Sequence, residues 1–184
     1  MSETPEERLL PVEVLTDTHH IFGRVPAAPL RLSDILNSEP EQILVLKEAF
    51  IYPIDDPRIS VVERPFAMVT KAQIALAIPR GSPEEAAILE ERRRLDRIEK
   101  KPRPVTVSIP PFAVRGLMWM VPGVDEEAYF SRISRPFIPI TDGRAVYMQD
   151  ASRLWEGEVI LVNIRRSQVF WRETARPAPR RSRA

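Results

Sequence analysis

Val12-Glu13-Val14-Leu15 and Ile21-Phe22-Gly23-Arg24-Val25 return 93 positions later as Val105-Thr106-Val107-Ser108 and Val114-Arg115-Gly116-Leu117-Met118. These four segments decide the fold. Each alternating run has the period of two that marks a half-buried strand. Each second segment is an apolar strand crossing a Gly, which marks a bulge or a close approach of backbones. Working outward, Leu44 and Leu46 match Ile138 and Ile140 at an offset of 94, and Tyr52 matches Tyr147 at 95. Val69, Gln73 and Ile74 match Ile164, Gln168 and Val169, again at 95. Self-similarity at a near-constant offset is the mark of an internal repeat.

Each copy carries the same order of signals. After the two strands comes a short helical stretch, Leu32 to Asn37 in the first copy and Asp125 to Phe130 in the second. Leu32, Ile35 and Leu36 fall at i, i+3 and i+4 and give that helix one apolar face. A long strand follows, Ile43 to Tyr52 or Phe137 to Tyr147. The growing offset, with Asp142-Gly143 inside the second of these, predicts a β-bulge, with an Asp-Gly hairpin as the rival. A last strand pair ends each copy, from Phe66 to Leu76 and from Val159 to Trp171.

Between the copies the character changes. Ser82-Pro83-Glu84-Glu85 reads as a capping box, and 83–101 as an exposed helix with acids early and bases late, stopped at Pro102. Its apolar stripe is thin: Ile88, Leu89, Leu95 and Ile98. The expected organisation is an acidic disordered start at 1–11, a β-rich repeat at 12–79, a charged connector helix at 80–104, a second repeat at 105–173 and a basic disordered tail at 174–184. The fold class is therefore mainly β (α+β): two repeated small β-barrel-like units joined by one exposed helix.

Composition narrows the functions. The 184 residues carry 27 Lys+Arg and 26 Asp+Glu, a net charge of +1, which gives no overall pull toward nucleic acid or anionic lipid. With 43% hydrophobic and 29% charged residues, the balance is that of a soluble globular chain. No Cys is present, so disulfides, thiolate metal sites and a Cys nucleophile are excluded. The acidic start is not a secretory signal, and no run reaches the roughly 18 apolar residues that span a bilayer, so the expected location is the cytoplasm. His19 and His20 are the only imidazoles and, as strand neighbours, point to opposite faces. Asp17 shares a face with His19, but two such groups make a poor metal site. Asp55-Asp56-Pro57 reads as a turn. With six Gly in all, no phosphate loop or dinucleotide motif appears. No cofactor is expected.

The most distinctive stretch is Gly116-Leu117-Met118-Trp119-Met120, apolar on both faces where its counterpart Gly23-Arg24-Val25-Pro26-Ala27 is not. A strand apolar on both faces must be covered on both. Phe112, Met118, Trp119 and Met120 are thus the candidate protein-interaction residues, facing another chain or the first copy.

The order of strand, strand with Gly, insert, long strand and closing pair resembles Sm-like and SH3-like five-stranded barrels. It is also similar to uncharacterised bacterial domains of this layout. The Sm-like signature of Asp-Gly in the first hairpin and Arg-Gly before the last strand is not reproduced: Thr16-Asp17 and Val114-Arg115-Gly116 stand instead, and neither copy has Arg-Gly before its last strand. The resemblance implies a barrel and supplies no site residue. The resulting expectation is a non-enzymatic interaction or scaffold module with a protein partner or self-association. The alternative is nucleic-acid binding through Arg165, Arg166, Arg176, Arg180, Arg181 and Arg183, since arginine tails neutralise phosphates without a specific fold. A small-molecule enzyme with its pocket between the copies is a third class.

Overall fold

The computed structural model describes residues 9–26, 31–39, 41–56, 61–81, 100–125, 129 and 132–172. Of the connector helix expected over 83–101, residues 83–99 lie outside the described residues, as do most of the second helical stretch and the tail at 174–184; its expected last residue, Lys101, is in strand. Two expected boundaries shift. Leu9 to Pro11, assigned to the N-terminal tail, are in strand, and so are Lys101 to Pro104, assigned to the connector.

Among the described residues, ten strands make one antiparallel sheet. They are β1 (Leu9–Leu15), β2 (His19–Pro26), β3 (Ile43–Pro53), β4 (Val62–Thr70), β5 (Leu76–Pro79), β6 (Lys101–Ile109), β7 (Phe112–Met120), β8 (Phe137–Tyr147), β9 (Asp150–Asn163) and β10 (Val169–Arg172). A six-residue helix, α1 (Leu32–Asn37), buries Leu32, Ile35 and Leu36 as its spacing predicts. The strand order is β10-β6-β7-β8-β9-β5-β1-β2-β3-β4. The ladder is continuous and open, with β4 and β10 at its ends, in place of two separate closed barrels.

Within the sheet, strands one to five stand in the order β5-β1-β2-β3-β4 and strands six to ten in the order β10-β6-β7-β8-β9. The registers correspond as well. Leu15 faces Leu76 and Val14 faces Ala77; Ser108 faces Val169 and Val107 faces Phe170, every residue 93 positions on. Val14 faces Ile21 and Val107 faces Val114. Along the long strands the shift is 94: Ile43 faces Thr70 where Phe137 faces Asn163. It then returns to 93, because Thr70 and Asn163 differ by that number.

Four sequence matches are corrected by this register: Tyr52 by one residue, and Val69, Gln73 and Ile74 by two. Tyr52 faces His20, whereas the residue facing Ala113, which lies 93 after His20, is Val146; the match to Tyr147 is one residue out. Ile74 N–H bonds to Lys71 O, and the corresponding bond runs from Ser167 to Ile164, so the match of Ile74 to Val169 is two residues out. A slip of two keeps every side chain on its own face, and alternation alone does not detect it.

A bulge stands beside Gly143 and no hairpin does, but it is not an extra residue of the second copy, because the offset stays at 94 along the long strands. Between Phe22 and Arg24 the partners on β3 run from Phe50 to Lys47; between Arg115 and Leu117 the partners on β8 run from Arg144 to Thr141. The same bulge therefore stands in both long strands. The left-handed residues are Glu48 (φ 50°) and Asp142 (φ 49°), not Gly143. The glycine that each bulge needs lies on the strand opposite. A Cβ on Gly23 would meet Leu46 Cβ at 3.0 Å, and one on Gly116 would meet Ile140 Cγ2 at 2.5 Å and Thr141 O at 2.7 Å.

The core forms two clusters, and each draws on both ends of the chain. Leu15, Ile54, Leu76 and Ile78 pack with Phe112, Ile140 and Ile160. Phe137 and Leu161 pack with Val14, Leu36, Leu44 and Ala77.

Candidate interaction surface

The geometry of the β5–β9 seam shows what this sheet uses to join one five-strand run to the next. Its ladder is short, Leu76 facing Val162 and Ala77 facing Leu161. Asn163 extends it: its backbone N–H donates to Ala75 O at 3.0 Å and its Nδ2 to Ile74 O at 2.9 Å. Asn37 at the end of α1 donates from Nδ2 to Phe137 O at 3.0 Å and accepts from Phe137 N–H at 2.9 Å. Lys71, buried, donates from Nζ to Ile35 O and Ser38 O and closes the C-terminal turn of that helix. At one end of the seam, the Arg166 guanidinium binds Asp17 and the carbonyls of Ala72 and Gln73.

At the other end, Arg80 Nε donates to Glu13 Oε1 at 3.0 Å and Nη1 donates to Glu156 O at 2.6 Å. His20 Nε2 lies 3.1 Å from Glu13 Oε2. Burial works against ionisation of Glu13, yet the hydrogen bonds from His20 and Arg80, and their charges, outweigh it and hold the carboxyl below its ordinary value. The His20 ring packs between Tyr52 and the edge of Trp155, whose indole also meets Phe112. His20 is thus a polar member of the seam. His19 turns away to Thr18 Oγ1. Among the described residues no three His, Asp or Glu side chains converge as a metal site would require.

The residues expected to make protein contacts divide. Phe112, Met118 and Met120 point inward and are core, so they form no outer surface. Trp119 on the other face is 46% exposed, and its Nε1 donates to Thr141 Oγ1 at 2.8 Å. The arginine pair also divides. Arg165 is exposed, its Nη2 reaching Ser134 O at 3.2 Å, while Arg166 is committed to the seam. Arg176, Arg180, Arg181 and Arg183 lie outside the described residues.

The surface that sequence reasoning missed is at the two ends of the sheet. On β4 and the neighbouring face of β3, Ile43, Val45, Phe66 and Met68 are exposed; on β10, Val169 and Trp171 are. A depression of about 330 Å³ lies beside the β4 edge, between the Thr16–His19 turn and Met68–Thr70. Isolated exposed apolar residues are ordinary, but a cluster on a strand that has no second neighbour among the described residues is a place where another chain can add. Alternation was the available signal in Ile43-Leu44-Val45-Leu46, where both faces are apolar. Among the described residues, no helix is long and apolar enough to cross a membrane. Comparison with family models, with curated proteins and with solved structures returns no match for this chain.

Proposed function

We propose that the chain is a non-enzymatic protein-interaction or scaffold module of the cytoplasm, built from two pseudo-equivalent β-rich units. Each unit is a small barrel-like wrap of five strands, curved by the bulge at Glu48 or Asp142. The equality of strand order and the near-constant offset of the pairing registers, 93 in the outer ladders and 94 along β3 and β8, support the duplication. The observation that carries the function is the pair of edges, β4 and β10, that have no further strand beside them among the described residues, each flanked by exposed apolar side chains. A strand edge offers backbone donors and acceptors, and the apolar residues beside it supply the buried area that an interface needs.

Benzoylphenylalanine placed at position 68 or 171, with position 148 as an exposed control between β8 and β9, tests this reading in native extract. Irradiation is expected to give protein adducts from 68 and 171, far fewer from 148, and the same yield after nuclease treatment. Adducts from 148 alone, or from none of the three, overturn it. Adducts that vanish with nuclease turn the assignment to nucleic acid.

A further inference from the structure

The two end strands, which have no further neighbour among the described residues, match each other through the seam that joins the two halves. At the seam β9 presents Leu161, Val162 and Asn163 to β5. Ninety-three positions earlier, β4 presents Met68, Val69 and Thr70 at the same points of its own ladder with β3. β5 presents Leu76 and Ala77, and their counterparts on β10 are Val169 and Phe170. What the seam covers, the ends leave bare. Leu161 is 2% exposed and Met68 65%; Phe137 is 2% and its counterpart Ile43 47%. Leu76 is 0% exposed and Val169 53%; Ile78 is 0% and Trp171 41%.

The β4 edge is also guarded unevenly. Glu63, Arg64 and Pro65 are the residues that natural edge strands use against pairing. Their counterparts on β9, Glu156 to Glu158, lie outside the Leu161–Val162 ladder. From Phe66 to Thr70, the part that corresponds to the ladder, β4 has neither charge nor proline. On β10, Val169-Phe170-Trp171 has none before Arg172. The open half of each edge is the half that the seam register uses.

We infer that the occupant of both edges is a second copy of this chain: β10 of one copy adds antiparallel to β4 of the next, with Val169 opposite Val69 and Phe170 opposite Met68. The contact repeats the internal seam between molecules. It rests on the interaction-module reading and names its partner. Being head-to-tail, it leaves one free β4 and one free β10 on every dimer. Assembly therefore continues until a ring closes or a filament grows. Gln73 stands where Arg166 stands at the seam. Its side-chain amide is suited to donate to the backbone carbonyls of the neighbouring copy's 3-10 turn at Ile164–Arg166.

Complementation tests the inference. Met68→Lys blocks β4 alone and Val169→Lys blocks β10 alone; both sites are exposed, so each variant keeps its thermal midpoint within about 2 °C. Native mass spectrometry of the full chain over a concentration series is the readout. The unsubstituted chain is expected to assemble beyond the monomer. Each variant alone is expected to stay monomeric, its apparent Kd raised about a hundredfold by the lysine charge buried at the joint. An equimolar mixture of the two variants should form a one-to-one dimer and stop there, because one intact β10 meets one intact β4. An unsubstituted chain that stays monomeric at millimolar concentration overturns the inference. So does a Val169→Lys chain that still dimerises by itself, which would mean that like edges pair. If the chain is monomeric and positions 68 and 171 still trap a different protein, the module reading stands and self-assembly falls; if they trap nothing, both fall.

Discussion

Asn37 and Phe137 hold each other twice: Asn37 Nδ2 donates to the Phe137 carbonyl at 3.0 Å, and the Phe137 N–H donates to Asn37 Oδ1 at 2.9 Å. One amide thus satisfies both backbone groups at the first residue of β8, a hundred positions away, and fastens α1 to the other half of the sheet. The same Nδ2 donates to Ser33 O at 2.8 Å.

Removing that amide leaves a backbone donor and acceptor beside the buried Phe137 side chain without their partner. Asn37→Ala is therefore expected to lower stability by about 1–3 kcal/mol, the cost of stranding buried polar groups. Asn37→Asp keeps the acceptor and loses both donations from Nδ2, and it should fall between Ala and the parent. Urea unfolding measures both; a loss below about 0.5 kcal/mol for Asn37→Ala would show the clamp to be idle.

The two bulge glycines should differ in their tolerance of a methyl group. At Gly116 the added Cβ meets Ile140 Cγ2 at 2.5 Å and Thr141 O at 2.7 Å; at Gly23 the nearest contacts are Leu46 Cβ at 3.0 Å and Lys47 O at 3.2 Å. Neither residue has positive φ, so the cost is steric alone. Gly116→Ala is expected to cost about 1–3 kcal/mol, the range for overpacking, and Gly23→Ala less. Thermal midpoints of the two variants give the order, and equal midpoints would contradict it.

How much of this was legible depends on the residue. The bulges were, because Gly23 and Gly116 interrupt otherwise apolar strands at matching places. The register was legible only to within a slip: Val69 is matched two residues out, which keeps its face, and Tyr52 one residue out, which does not. Leu117-Met118-Trp119-Met120 is an uninterrupted apolar run that calls for cover on both faces: Met118 and Met120 are buried, while the Trp119 indole is half exposed and donates its N–H to Thr141 Oγ1. The edges at β4 and β10 were not legible, because which strand lacks a neighbour is a property of the whole ladder. His20 could be seen only as half of a pair; its partners Glu13, Tyr52 and Trp155 come from three other strands.

Glu13 gives the fold an acid-labile element. Its carboxyl is held below its ordinary 4.5 because donation from His20 and Arg80 outweighs the burial that opposes ionisation. A depressed folded value means the unfolded chain binds the proton more readily. The contribution is then fully present above the unfolded value near 4.5 and is lost as pH falls through the lower folded value. Glu13→Gln should therefore flatten the decline in stability between about pH 5 and pH 3 relative to the parent. Chemical unfolding at half-unit pH steps reads the difference, and parallel curves would remove Glu13 from the account.

Lys71 works in the opposite sense. Its Nζ donates to Ile35 O and Ser38 O, satisfying the last turn of α1 from inside the protein. Burial lowers its pKa below the ordinary 10.5, and the charge of Glu41 only partly restores it. The folded chain thus sheds this proton before the unfolded chain does, so the Lys71 contribution rises as pH climbs toward 10.5. Lys71→Met keeps the length of the side chain and removes both donations. At neutral pH it is expected to cost about 1–2 kcal/mol, the loss of the helix-end bonds being offset in part by a cheaper side chain to bury. The gap between parent and variant should widen from pH 8 to pH 10. The readout is the urea midpoint of each at both pH values. A gap that narrows over that range would mean that the folded state favours the charged amine, and that its bonds to the two carbonyls dominate over its burial.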